Sequence, residues 1–199
     1  MAWDTERTRR LLLEAAAVEF SARGLAGARV DRIAAQAGVN KERIYQYFGK
    51  KDELFDTVIS TQLKHVMDEV PIEGYGPKAM ADYAGRLFEH HRADDSLPRL
   101  LFWEGLERGE YVIDRADRAD RCASKVDRAL EVLPGISRED AADLLLTIIC
   151  LCDAWAVLPE LDGLMAGKTT GRVERRRVAV MRTVELMAEA LVVSLEGSR

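Results

Sequence analysis

Residues 29–48 place apolar side chains at Val30, Ile33, Ala34 and Ala37, follow them with Gly38, and resume the apolar step at Ile44 and Phe48. Steps of three and four residues draw a single stripe along a helix. The segment can therefore bury its apolar side chains only as two short helices meeting at a corner. Gly38 stands where the chain must turn, and glycine takes positive φ at little cost. Val39 plugs the corner, and Asn40 is a good N-cap for the second helix. With Ile44 and Phe48 turned inward, Lys41, Arg43, Tyr45, Gln46 and Tyr47 are left facing outward. A helix exposing basic, amide and aromatic groups can enter a major groove, where Arg, Lys and Gln pair with base edges and Tyr reaches phosphates. The pattern predicts a helix-turn-helix that binds double-stranded DNA.

Helix–glycine–helix corners also serve as plain structural joints, so the surroundings matter. The first 51 residues carry 10 Lys and Arg against 6 Asp and Glu, whereas the remainder carries 19 against 28. A net charge of −5 argues against a general nucleic-acid binder. A basic head on an acidic body is what docking one end on phosphates requires. Lys50 and Lys51 add charge directly after the corner.

The rest of the chain reads as helix throughout, with no alternating strand pattern. A first helix over about 4–22 has Leu12, Ala16 and Phe20 inward and Gly24 as its stop. After the corner a fourth helix covers about 52–70, opened by Asp52 and Glu53. Further helices are expected over about 77–92, 98–108, 111–133, 137–159 and 173–195, with a loop over 159–171. Ser137 followed by Asp140 resembles an N-cap box. The fold class is all-α, with about nine helices in 199 residues. Residues 1–51 form a helix-turn-helix domain. Residues 52–199 form a helical ligand-binding and dimerisation domain, with the fourth helix as connector.

From Thr8-Arg9 onward the chain resembles the tetracycline-repressor (TetR) family of transcriptional regulators. The matches run through Leu12, Ala16, Phe20, Gly24, Val30, Ile33-Ala34, Ala37-Gly38-Val39, Lys41, Ile44-Tyr45, Tyr47-Phe48 and Lys51-Asp52-Glu53-Leu54, covering roughly residues 5–60. The resemblance implies that residues 40–47 are the recognition helix and that Tyr45, Tyr47 and Lys51 stand where the family often contacts DNA. It also implies a homodimer on a palindromic operator. Arg29 departs from the family's usual Thr or Ser cap; it cannot cap that way but can contact phosphate. Arg43 replaces a small residue. It could read guanine bidentately, clamp a phosphate, or pair with Glu42 or Glu53. Lys41, Arg43 and Gln46 are the base-reading candidates; Arg29, Tyr45, Tyr47 and Lys51 are the phosphate candidates.

Two further sites are expected in the body. Met181, Val184, Ala188, Leu191 and Leu195 are spaced by three and four, a seam for a partner helix. Leu144 and Ile148 offer a second apolar band, so helices from both regions could build a homodimer; ordinary intrachain packing has the same pattern. Tyr83, Leu87, His91, Trp103, Leu106, Cys152 and Trp155 could line a small-molecule site or simply fill a core. Gly163–Thr169 falls one residue short of a phosphate-binding loop and follows no strand. Asp114, Asp117 and Asp120 alternate with arginines as a solvated face. Adjacent His90 and His91 cannot chelate one ion together. No catalytic group, metal site or cofactor is expected. No signal segment or apolar run of membrane-crossing length is visible, and three cysteines suit a reduced compartment, so a cytoplasmic protein is expected. The leading reading is a repressor released from its operator by a small-molecule effector. A ligand-independent DNA-binding factor, or a helical protein with an idle helix-turn-helix, remains open.

Overall fold

The computed structural model describes residues 2–109, 115–167 and 169–196. Ten helices and no strand occur among the described residues: α1 (Ala2–Gly27), α2 (Val30–Ala37), α3 (Glu42–Phe48), α4 (Lys51–Glu69), α5 (Pro77–Ala93), α6 (Ser96–Arg108), α7 (Arg115–Val132), α8 (Arg138–Val157), α9 (Pro159–Ala166) and α10 (Arg172–Glu196). The all-α expectation holds, with one helix more than expected. That helix is α9, inside the segment expected to be a loop. Pro159 ends α8 but also suits the first turn of a new helix, where its missing N–H is not needed. Glu160 and Asp162 add favourable charge there, and Gly167 stops it at φ 66. No single helix is long and apolar enough to cross a membrane.

The chain divides into two compact units, Met1–His65 with Ser96–Arg115, and Val66–Asp95 with Ala116–Arg199. The expected boundary at residue 51 is therefore displaced, because α6 joins the first unit by packing along α1. Leu12, Phe20, Ile33, Ile44, Leu54, Phe55 and Leu100 are fully buried in that unit's core. Each contributes about 1.5–3 kcal/mol by leaving water. Phe20 meets Phe55 edge-on at 5.0 Å. The Arg108 guanidinium lies 5.0 Å from the Phe55 ring centroid and donates to Asp56. Gly24, the expected stop, is a break inside α1 at φ 68, ψ 179. The α6 residue Trp103 sits so near that a Cβ at Gly24 would lie 2.8 Å from its ring. Its indole N–H donates to the Ser21 carbonyl at 3.2 Å, and Glu107 accepts from the Ala26 N–H freed by the break, at 2.9 Å.

In the second unit α5 packs against both α10 and α8. Gly85 permits the α5–α10 approach: a Cβ there would lie 2.7 Å from Met181 Sδ. The Ser137 hydroxyl accepts from the Asp140 N–H at 3.0 Å, as the N-cap pattern implied. Arg128 ties the loop before α5 by donating to the Ile72 carbonyl at 3.0 Å.

Candidate nucleic-acid interface

The corner forms as its residues dictate. Gly38 adopts the left-handed conformation (φ 66, ψ 29) and closes α2 on the Ala34 and Ala35 carbonyls, while the Val39 N–H donates to Ala34 at 3.0 Å. Asn40 does not cap α3, contrary to expectation. Lys41 already has helical angles (φ −59, ψ −28) and is itself the N-cap residue, without a side-chain cap bond. Asn40 therefore sits one residue too early and uses its carbonyl instead, accepting from the Arg43 N–H at 3.0 Å.

At the start of α2 the extended Arg29 provides no side-chain cap, and its side chain is exposed. A residue the sequence reading passed over does the capping. Glu19, buried within α1 at 7% exposure, accepts from the Arg29 N–H at 3.0 Å and from Arg32 Nε at 2.7 Å. Burial alone would raise the Glu19 pKa. Hydrogen bonds from the Arg32 side chain and the Arg29 N–H, with the charges of Arg32 and Arg23, outweigh it and hold the carboxyl below its ordinary 4.5. No sequence signal marks this pairing, since it joins residues on different helices.

On α3, Ile44 and Phe48 are buried, and Arg43, Tyr45 and Gln46 are exposed. Arg43 pairs with neither Glu42 nor Glu53. Its Nη1 donates to Gln46 Oε1 at 3.1 Å and to Tyr47 Oη at 3.3 Å. Glu53 is engaged with the Lys50 N–H at 2.6 Å. Lys41, expected to read bases, is exposed and donates to Asp31 Oδ1 at 3.2 Å; this bond raises its pKa and links α2 to the start of α3. Lys51, expected on phosphate, donates to the Ala28 carbonyl at 3.3 Å and so ties α4 to the end of α1. Thr5, Thr8, Gly38, Val39, Asn40, Arg43 and Tyr47 line a concavity of about 470 Å³ beside the corner. The outward face can thus offer guanidinium, amide and phenol groups to a duplex from a rigid support.

The candidates in the body separate. Tyr83, Leu87, His91 and Cys152 are buried in the second unit, where Trp155 packs on Phe88 at 5.6 Å. Trp103 and Leu106 belong to the first unit, Trp103 packed at Gly24 and Leu106 77% exposed; they do not join that set. His91 Nδ1 lies 2.7 Å from Asp153 Oδ1, but off the angle of a hydrogen bond. Both atoms, His91 Nε2 and the Tyr83 hydroxyl are buried without a hydrogen-bond partner among the described residues. The Lys125 ammonium stands 4.8 Å from the Tyr83 ring centroid, and burial lowers its pKa to about 8. Cys152 is pushed up to about 12, by burial first and then by the Asp153 charge.

Of the expected dimer seam, Leu144, Ile148, Val184 and Ala188 are fully buried within one protomer. They cannot meet a partner helix, because α5 already occupies that side of α8 and α10. Met181 is taken up at Gly85, Leu191 is half-buried, and the Leu195 side chain lies outside the described residues, as does Asp114 of the expected solvated face. Among the described residues, the open apolar positions on these helices include Leu146 on α8 and Val173, Val178, Leu186 and Val193 on α10.

Residues 12–58 match the profile of the bacterial regulatory proteins, tetR family. Residues 79–185 match that of the tetracyclin repressor-like C-terminal domain. The chain is 36% identical over 168 residues to the HTH-type transcriptional repressor SCO4008 of Streptomyces coelicolor, covering 82% of this chain and 86% of that one. The crystal structure of the transcriptional regulator SCO4942, also from Streptomyces coelicolor, superposes with a TM-score of 0.74 at 33% identity, covering 90% of this chain and 97% of that one. FadR of Bacillus subtilis shares the fold at 17% identity and a TM-score of 0.65, over 90% and 97% of the two chains. The chain belongs to the TetR family and is a DNA-binding transcriptional regulator.

Proposed function

We propose that the protein is a cytoplasmic homodimeric repressor whose two α3 helices enter major grooves of a palindromic operator, and that a small molecule held in the second unit releases it. The observation that carries the reading is the outward set Arg43, Tyr45 and Gln46 standing over the buried pair Ile44 and Phe48. A single short recognition helix binds weakly, and twofold pairing supplies a second half-site. The apolar positions left open on α8 and α10, Leu146, Leu186 and Val193, suit the contact between copies.

For the effector, the support is the polar cluster of Tyr83, His91 and Asp153. An unsatisfied buried polar group costs about 1–3 kcal/mol. A ligand with a hydrogen-bonding head recovers that cost, and its apolar body packs on Phe88, Leu87 and Trp155. FadR of Bacillus subtilis was crystallised with stearoyl-CoA, so a small molecule bound to this fold has precedent. The ligand must bind the released form more tightly than the DNA-bound form, or nothing moves.

Selection of duplexes from a random library by the purified protein at about 0.15 M salt, where nonspecific phosphate binding is weakened, tests the DNA reading. Enrichment of a palindrome is expected; no enriched sequence from folded protein would end it. The operator then serves as probe for effectors. Compounds that raise the melting temperature and release the DNA are expected. A flat response across chemical classes would favour a ligand-independent factor.

A further inference from the structure

Gln46 lies two residues from both Ile44 and Phe48, the pair that faces the core. At about 100° per residue that is roughly 200° around the axis, so Gln46 stands at the centre of the outward face. Its amide does not turn freely. Arg43 Nη1 lies 3.1 Å from Gln46 Oε1, and a guanidinium only donates, so the atom facing it must be the carbonyl oxygen. The Gln46 amide nitrogen, with two donors, is therefore aimed away from Arg43. Arg43 is held in turn by Tyr47 Oη at 3.3 Å, with its Cζ 5.9 Å from the Tyr47 ring centroid. Both of these bonds use Nη1, leaving the side-on edge of Nε and Nη2 without a partner among the described residues.

We propose that Arg43 and Gln46 read the operator as one all-donor unit: guanine O6 and N7 under Arg43, and an acceptor of guanine or thymine, with adenine disfavoured, under Gln46. Resting on the DNA reading above, this names the bases that α3 selects. A free glutamine pairs with adenine by accepting from N6 and donating to N7. Here the Gln46 oxygen already accepts one bond from Arg43, and an adenine N6 amino group using its second lone pair would arrive beside the guanidinium, donor against donor. Guanine O6 and N7 and thymine O4 present acceptors only and meet no such conflict.

The test is random-library selection, then binding to duplexes substituted base by base, with the full-length wild type, Gln46→Ala, Arg43→Ala and Gln46→Glu. Gln46→Ala identifies the position under residue 46 as the one whose preference flattens. At that position the wild type is expected to bind adenine about tenfold more weakly than guanine or thymine. Arg43→Ala should flatten the guanine position and, by freeing the Gln46 carbonyl, also move the neighbouring preference toward adenine. Gln46→Glu keeps the bond from Arg43 but removes the donors, and should turn that position toward cytosine, whose N4 amino group donates. All three substitutions are at exposed residues, and helical content by circular dichroism checks each fold. A wild-type site with adenine under Gln46 overturns the proposal while leaving the DNA reading intact, as does an Arg43→Ala variant altering the guanine position alone. No enriched sequence from the folded wild type overturns both.

Discussion

Glu19 offers the sharpest test of how the DNA-reading corner is held. In Glu19→Ala the Arg29 N–H loses its acceptor at the start of α2, a loss of about 1 kcal/mol by analogy with other N-caps. The bond from Arg32 Nε is charge-assisted, a type worth about 1.5–3 kcal/mol. Arg32 is 39% exposed, however, and water replaces part of that bond, so about 1–2 kcal/mol is the fair share. The total is about 2–3 kcal/mol, or a melting temperature lower by about 4–12 °C for a chain of this size. Glu19→Gln keeps the shape and one acceptor but loses the charge, and about half that effect is expected. The pH dependence gives a second handle. The folded pKa of Glu19 lies below its ordinary 4.5, so its stabilisation is fully present above about 4.5 and is lost as pH falls through the folded value. Urea unfolding of wild type and Glu19→Gln should show a gap at pH 7 that narrows in acid below 4.5. A gap under about 0.5 kcal/mol at pH 7, or one independent of pH, would refute the capping role.

Gly38→Ala should cost about 1–2 kcal/mol by thermal melting, because the left-handed backbone at φ 66 penalises a Cβ although the space around it is open; an unchanged melting temperature would mean the corner relaxes. Leu146→Arg with Leu186→Arg, at sites 61% and 55% exposed, should give a folded monomer by sedimentation with weakened operator binding, and a dimer of unchanged affinity would place the interface elsewhere. Native protein at pH 8 should react with a thiol reagent at two cysteines, the exposed Cys122 and Cys150, and at the third only on unfolding, since the Cys152 thiol titrates at about 12; three rapid thiols would contradict its burial. Tyr83→Phe removes a hydroxyl that has no hydrogen-bond partner among the described residues and should leave the unfolding free energy within about 1 kcal/mol of the wild type while weakening effector response; unchanged effector response would remove Tyr83 from the site.

Most of what could be read from the sequence depends on neighbours along the chain, with two local exceptions: Asn40 stands one residue too early to cap α3, and Pro159 opens a helix where a loop was expected. The α2–Gly38–α3 corner, the Ser137 cap and the apolar stripes all follow from spacings of one to four residues, and each stands where the pattern placed it. Readings that needed a residue's distant partner went astray for one physical reason: a stripe says that a side is buried, never against what. Val184 and Ala188 carry the spacing of a dimer seam, yet α5 of the same protomer covers them. Trp103 resembles a ligand wall, yet it fills the hollow that Gly24 leaves.

Charge follows the same rule with a functional consequence. Lys41 and Lys51 carry the same charge as Arg43 and lie within ten residues of it, so composition ranks all three as DNA contacts. In the structure Lys41 donates to Asp31 and Lys51 to the Ala28 carbonyl, contacts that tie the corner to its neighbouring helices. Arg43 is held too, but by Gln46 and Tyr47 on its own outward face, so its tether keeps it on the exposed side of α3. Replacing either lysine should therefore weaken binding to all sequences alike through a looser support, whereas replacing Arg43 should change which sequence is chosen. On the proposed reading, specificity and affinity would then rest on different cations of one short segment, and their intrachain partners are what distinguishes them.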